Sequence, residues 1–255
     1  MSDFDSPELA AELAAELEGL RVLQATAPPA PPSPALLASV NRMRPVRTRV
    51  PFRTLLVVAA AAVVFPTAAV AIYPLRQDLH ALPPLWFAAV AVAWLAGFVI
   101  PLTAALLPRP GQVLPDGARA GRAGILASLT LVLVGLLFTI DAPGVTILPA
   151  TRWAGFASLW WHCVSFSFKV TIPAVFVGAI ALRKLATGAA HLARLGAAIG
   201  AAGGALSGLT LHGLCPYGGA VHVGLAHGGG VVIGAVIGAL WLPLVAGIAG
   251  RTGRQ

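Results

Sequence analysis

Six runs of about twenty apolar residues constrain this chain more than anything else in it. They fall at about 54–73, 84–107, 123–141, 157–182, 192–211 and 225–248. Each matches the roughly 20 residues a helix needs to cross about 30 Å of hydrocarbon. An isolated run of that kind must satisfy its backbone polar groups internally, so it is a helix. Only 10% of the 255 residues are charged, against roughly 25% in a soluble domain. The expected fold class is all-α: a polytopic membrane helical bundle of about six transmembrane helices, preceded by a cytosolic amphipathic helix.

Residues 1–52 form the expected cytosolic segment, 53–249 the membrane domain and 250–255 a cytosolic tail. The first stretch is acidic and polar and lacks a basic region followed by a short apolar one, so it does not read as a cleaved signal peptide. Ser6 and Pro7 suit a helix start. Leu9, Leu13, Leu17, Leu20 and Leu23 then recur at steps of four and three, one apolar stripe on a helix over 7–24. Glu12, Glu16 and Glu18 flank it, and six of the nine acidic residues lie in the first 18 positions. Residues 25–34, ATAPPAPPSP, are a Pro-rich, semi-rigid linker.

The basic residues set the orientation. With the N-terminus inside, fourteen of the seventeen Lys and Arg fall on the inner side. Arg76 and Arg152 fall outside, and Lys169 lies within span four. Positive charge accumulates on the cytoplasmic side, so both termini are expected in the cytoplasm of a cell bounded by this inner membrane. The net charge of +8 is thereby read as membrane orientation, with the bilayer as partner and no direct nucleic-acid binding.

Glycine recurs at every fourth position in the last two spans: Gly196, Gly200, Gly204 and Gly208, then Gly230, Gly234 and Gly238. Small residues at this spacing let helices approach closely in lipid. Spans five and six are expected to be a close pair.

Both cysteines and four of the six histidines gather at the outer ends of spans four to six: His162, Cys163, His212, Cys215, His222 and His227. Three readings stay open for them. Thiolate and imidazole suit zinc, copper or cadmium, so a transition metal ion is a candidate cofactor. An oxidising outer compartment would allow a Cys163–Cys215 disulfide. Interfacial packing is the third. The spacings match no strong zinc signature, and His80 and His191 read as lone interfacial residues. Lys169 sits near mid-membrane, where a cation costs about 2.5–3.5 kcal/mol on insertion scales. It is expected to face the bundle or to snorkel outward, with Asp141 its nearest counter-charge and Pro173 a helix breaker four residues on. No phosphate loop, HExxH pair, paired membrane carboxylates or activated serine is present, so nothing in the sequence points to an enzyme.

These features together resemble the NrsF-like membrane anti-sigma factors of bacteria. The turn YPLRQDL (73–79) is similar to that family's arginine–aspartate turn. Span four, with Cys163, Pro173 and the exit ALRKLA (181–186), resembles its cysteine-containing fourth helix. GAAIGAAGGALSGLTLHGLCP (196–216) resembles its Gly-rich fifth helix with a His-Cys-Pro end, except that Gly213 and Leu214 here separate His212 from Cys215. The resemblance covers roughly 42–248. It implies a partner sigma factor held at the membrane and released under stress, and sensing by Cys163 and Cys215. The Leu stripe, with Leu9, Leu13, Leu17, Leu20, Glu12 and Glu16, is then the expected partner-binding face. A small metal- or haem-binding transporter or oxidoreductase is the alternative reading of the same cluster.

Overall fold

The computed structural model describes Ala11, 14–18, Ser33, 51–110, Gln112, 114–139, 153–182, 188–215, Tyr217 and 219–252. It is helical throughout, with no strand among the described residues. Two units divide at Arg47 and Thr48. In the first, Ala11 and 14–18 are helical and exposed, Leu17 among them. Leu9, Leu13, Leu20 and Leu23 of the expected stripe, and flanking Glu12, lie outside the described residues.

The second unit contains six helices long and apolar enough to cross a membrane. They are α1 (Pro51–Ile72), α2 (Pro84–Leu106), α3 (Gly117–Leu137), α4 (Trp153–Leu182), α5 (Ala189–Leu214) and α6 (Gly229–Thr252). A helical turn, Ala220–His222, and a π-helical segment, Val223–Gly228, lead directly into α6.

Span three begins earlier than its apolar run. Asp116 caps α3, its carboxylate accepting from the amides of Ala118 (2.9 Å) and Arg119 (3.1 Å). A cap satisfies amide donors that would otherwise be orphaned, so helix starts before hydrophobicity does. Those two hydrogen bonds, Arg119's the stronger influence, also hold the Asp116 carboxyl below the usual carboxylate range. Arg119 is likewise no free loop residue. Its guanidinium donates to the Leu107 carbonyl at 2.8 Å, placing a cation at the C-terminal end of α2. At the other end α3 stops at Leu137, and Asp141, the expected counter-charge, lies outside the described residues.

The centre of the bundle belongs to α5, which packs against all five other helices. Its residues are mostly Ala, Gly and Ser, and nearly all from Leu195 to His212 are buried. In lipid the apolar effect does not drive helices together, and small residues that allow close packing take the middle. Large side chains such as Leu85, Ile125, Leu126 and Leu240 point outward. The close pair of α5 and α6 is present. A Cβ on Gly200 would overlap the Gly234 carbonyl, and one on Gly196 would overlap that of Gly238. Gly208 departs from the expected register: its Cα abuts the ring of Trp94 in α2, not α6. Trp94 is fully buried, and the absent side chain at Gly208 is what admits its indole.

Candidate functional site

One end of the bundle is assembled by polar contacts between chain segments far apart in sequence. Trp86 Nε1, near the start of α2, donates to the Phe138 carbonyl after α3 at 2.7 Å. The Arg76 amide, in the turn between α1 and α2, donates to the Gly213 carbonyl near the end of α5 at 3.0 Å. Arg76 also forms a two-pronged ion pair with Asp78, Nε to Oδ1 at 2.7 Å and Nη2 to Oδ2 at 2.6 Å. Both side chains are about 5% exposed. The Arg76 guanidinium beside Asp78 holds its carboxyl below the usual range. Its remaining nitrogen reaches the His212 carbonyl at 3.4 Å.

At this end four side chains converge. Cys163 comes from α4. Cys215 is the C-terminal cap of α5, its amide bonded to the Leu211 carbonyl at 2.7 Å. His222 ends the turn before the π-helical segment, and His227 lies within that segment. All four are buried, and their ligand atoms lie within 4.8 Å of one another. His222 Nε2 sits 3.5 Å from Cys163 Sγ and 3.6 Å from Cys215 Sγ. The imidazoles of His222 and His227 meet edge to face at 5.1 Å.

The donor set fits a metal ion. Zinc bonds of about 2.3 Å to sulfur and 2.0 Å to nitrogen, at tetrahedral angles, put S and N ligands about 3.5 Å apart. That is the spacing found at His222. Buried polar atoms are nearly always hydrogen-bonded, yet His227 Nε2 and His222 Nδ1 have no hydrogen-bond partner. Four donors around one point suit a bare ion. The thiols are free and also close enough for redox exchange. Hydrogen bonding from the Cys163 thiol, reinforced by His222 and His227, holds the Cys215 thiol below its usual range.

The other expected site residues fall elsewhere. His212 belongs to the same end but not to the four-residue group. Its ring stacks on Phe87 at 4.4 Å, and its Nε2 donates to the Phe87 carbonyl at 3.2 Å. It is one helical turn from Cys215 in a helix that must bury that face, so it becomes packing between α5 and α2. It does line a small cavity, of about 20 Å3, with Arg76, Trp94, Cys215 and His227. His162 precedes Cys163 by one residue, a step of about 100° around the helix, and is exposed. Lys169 is exposed on the outer surface of α4 and does not face the bundle. Ser167 and Val170 take the inward positions beside it.

Two features were missed by sequence reasoning. Ser167 Oγ donates to the Cys163 carbonyl (3.1 Å) and shares a 2.8 Å hydrogen bond with Ser207 Oγ, pinning α4 to α5 one turn below Cys163. Hydroxyls in apolar spans are a recognisable sign of such bonds. The π-helical segment left no signal in apolar periodicity.

A family model described as negative regulator of sigma F matches residues 39–246. No curated protein matches the chain, and no solved structure does.

Proposed function

The chain belongs to the negative regulator of sigma F family, and we propose on that premise that it is a membrane-embedded anti-sigma factor. It is a regulator and not an enzyme. The family match carries the reading, because it covers all six candidate membrane spans and its description names the target. The charge bias of the loops supports an inner-membrane location with both termini in the cytoplasm. In that orientation residues 1–52 meet the sigma factor and the Cys/His group faces outward.

The N-terminal helix would bind by laying its Leu stripe in an apolar groove of the sigma factor. The acidic flanks complement the basic surfaces with which sigma factors engage DNA. Exposed Leu17 and Glu16 on described helical residues support that arrangement. The signal is a thiophilic metal ion or an oxidant acting at Cys163 and Cys215, with His222 and His227 beside them. Such a ligand loosens the grip on the sigma factor only if it binds the two signalling states unequally.

The test is capture of the cognate sigma factor by residues 1–52 and by the full chain. Both should retain it, and Leu13→Asp combined with Leu17→Asp should abolish retention, since two charges cannot be buried unpaired in an apolar groove. Equal retention by the double variant would remove the helix as the contact.

A further inference from the structure

His222 and His227 are five residues apart. On a regular α-helix, five steps carry the second side chain about 140° past a full turn, so the two point apart. Here their rings touch. The reconciliation is the π-helical segment Val223–Gly228, whose following amide, on Gly229, donates to the carbonyl of Gly224 five residues back. A ladder of that spacing stacks residues five apart. The extra residue in this turn is therefore what brings His227 to Cys163, Cys215 and His222. The neighbouring helix braces it: Gly135 of α3 lies against Gly224, and Gly228 against Val132.

We propose that Val223–Gly228 is the positioning element of a four-ligand site for a zinc-class thiophilic divalent ion, and that ion occupancy and helical register there are one equilibrium. The inference rests on the metal reading of the cluster, not on the identity of the sigma factor. In the π register all four ligands are available, and binding through two thiolates releases their two protons. In an α register His227 swings away and three ligands remain. The chain beyond then shifts by one residue, about 1.5 Å along the axis and 100° around it. The ion binds the two registers unequally, which is the condition for shifting them.

The experiment uses the reduced full chain in detergent with zinc or cadmium alone. Binding is read from the cadmium–thiolate absorption band, and register from amide hydrogen exchange over 223–232. The parent should take one ion per chain, and exchange across the segment should slow. Deleting Leu225, which is exposed, removes the extra residue and leaves the histidines four apart, about 40° from each other on an α-helix. That variant should bind within about tenfold of the parent, because the ligands still share a face, while its exchange no longer responds to the ion. Inserting Ala after Leu225 should abolish binding, and Leu225→Ala should behave as the parent. His227→Gln should weaken binding more than about 100-fold, beyond the loss usual for outer-shell partners. Should the deletion fail to fold, the insertion, His227→Gln and the parent's exchange still decide the matter. A parent that takes no ion overturns the metal reading and this inference with it. A parent that binds without any change in exchange, or a His227→Gln chain that binds like the parent, overturns the inference alone.

Discussion

Replacing Arg76 with Met should destabilise the protein by about 3–5 kcal/mol, the usual cost of leaving one charge of a buried pair without its partner. The size follows from the site. Asp78 accepts two charge-assisted hydrogen bonds from Arg76 at 2.7 and 2.6 Å. Both side chains are about 5% exposed, so water screens little of the interaction. The 3.4 Å contact to the His212 carbonyl adds less than about 1 kcal/mol, and the amide bond to Gly213 survives any side-chain change. Replacing both partners, Arg76→Met with Asp78→Leu, should recover most of the loss, because apolar residues of similar volume often substitute for a buried pair at no net cost. The two buried free thiols provide the assay: a thiol-reactive dye reports unfolding as Cys163 and Cys215 become accessible. At about 2–4 °C per kcal/mol for a chain of this size, the single variant should melt roughly 6–20 °C lower. A drop of under about 2 °C, or a double variant as unstable as the single, would refute the claim that the pair is a buried latch.

The same pair makes a pH prediction. A carboxyl held below its ordinary value of 3.8 contributes stability that is complete above that value and is lost as pH falls through the lower folded value. The melting difference between parent and Asp78→Asn should therefore persist at neutral pH, narrow only below about pH 4, and vanish once Asp78 is protonated; a gap that closes near pH 6 would contradict it. Gly200→Leu should separate α5 from α6, since even a Cβ there overlaps the Gly234 carbonyl; loss of the folded form in detergent is expected, and a parent-like melt would show that the helices are not so close. Reporter fusions after Gln255 and within 143–152 should read cytoplasm and exterior respectively, and the reverse pattern would overturn the orientation. Cys163→Ser and Cys215→Ser should each weaken sigma-dependent induction, with the double variant like the singles, because one site needs both sulfurs; additive losses would mean two separate sites.

The six helices were legible because membrane spans advertise themselves by length and apolarity. Their ends were less so. The start of α3 was misplaced because Asp116, a cap, acts before hydrophobicity rises. The pairing of α5 with α6 could be read from glycine spacing, yet the same spacing gave no hint that Gly208 faces Trp94. Cysteines and histidines could be assigned to one end of the bundle from topology alone. Which of them converge depends on helix phase. A 100° step separates exposed His162 from buried Cys163, and a single turn separates His212, stacked on Phe87, from Cys215 in the cluster. His227 joins the cluster through a π-helical turn, which apolar periodicity does not encode in a segment with few polar residues. Of the two orientations expected for Lys169, facing the bundle or reaching outward, its exposure on α4 leaves the outward one.

The central claim is that this chain holds a sigma factor and lets it go when the outer Cys/His group is engaged. The most direct measurement places the full chain in lipid vesicles with its cognate sigma factor bound, adds cadmium under reducing conditions or a thiol oxidant, and weighs the sigma factor that remains. The account predicts release from the parent by at least one of the two agents, and retention by Cys163→Ser and Cys215→Ser under the agent that works. Sigma factor that never binds the parent, or that leaves parent and cysteine variants alike, would contradict it.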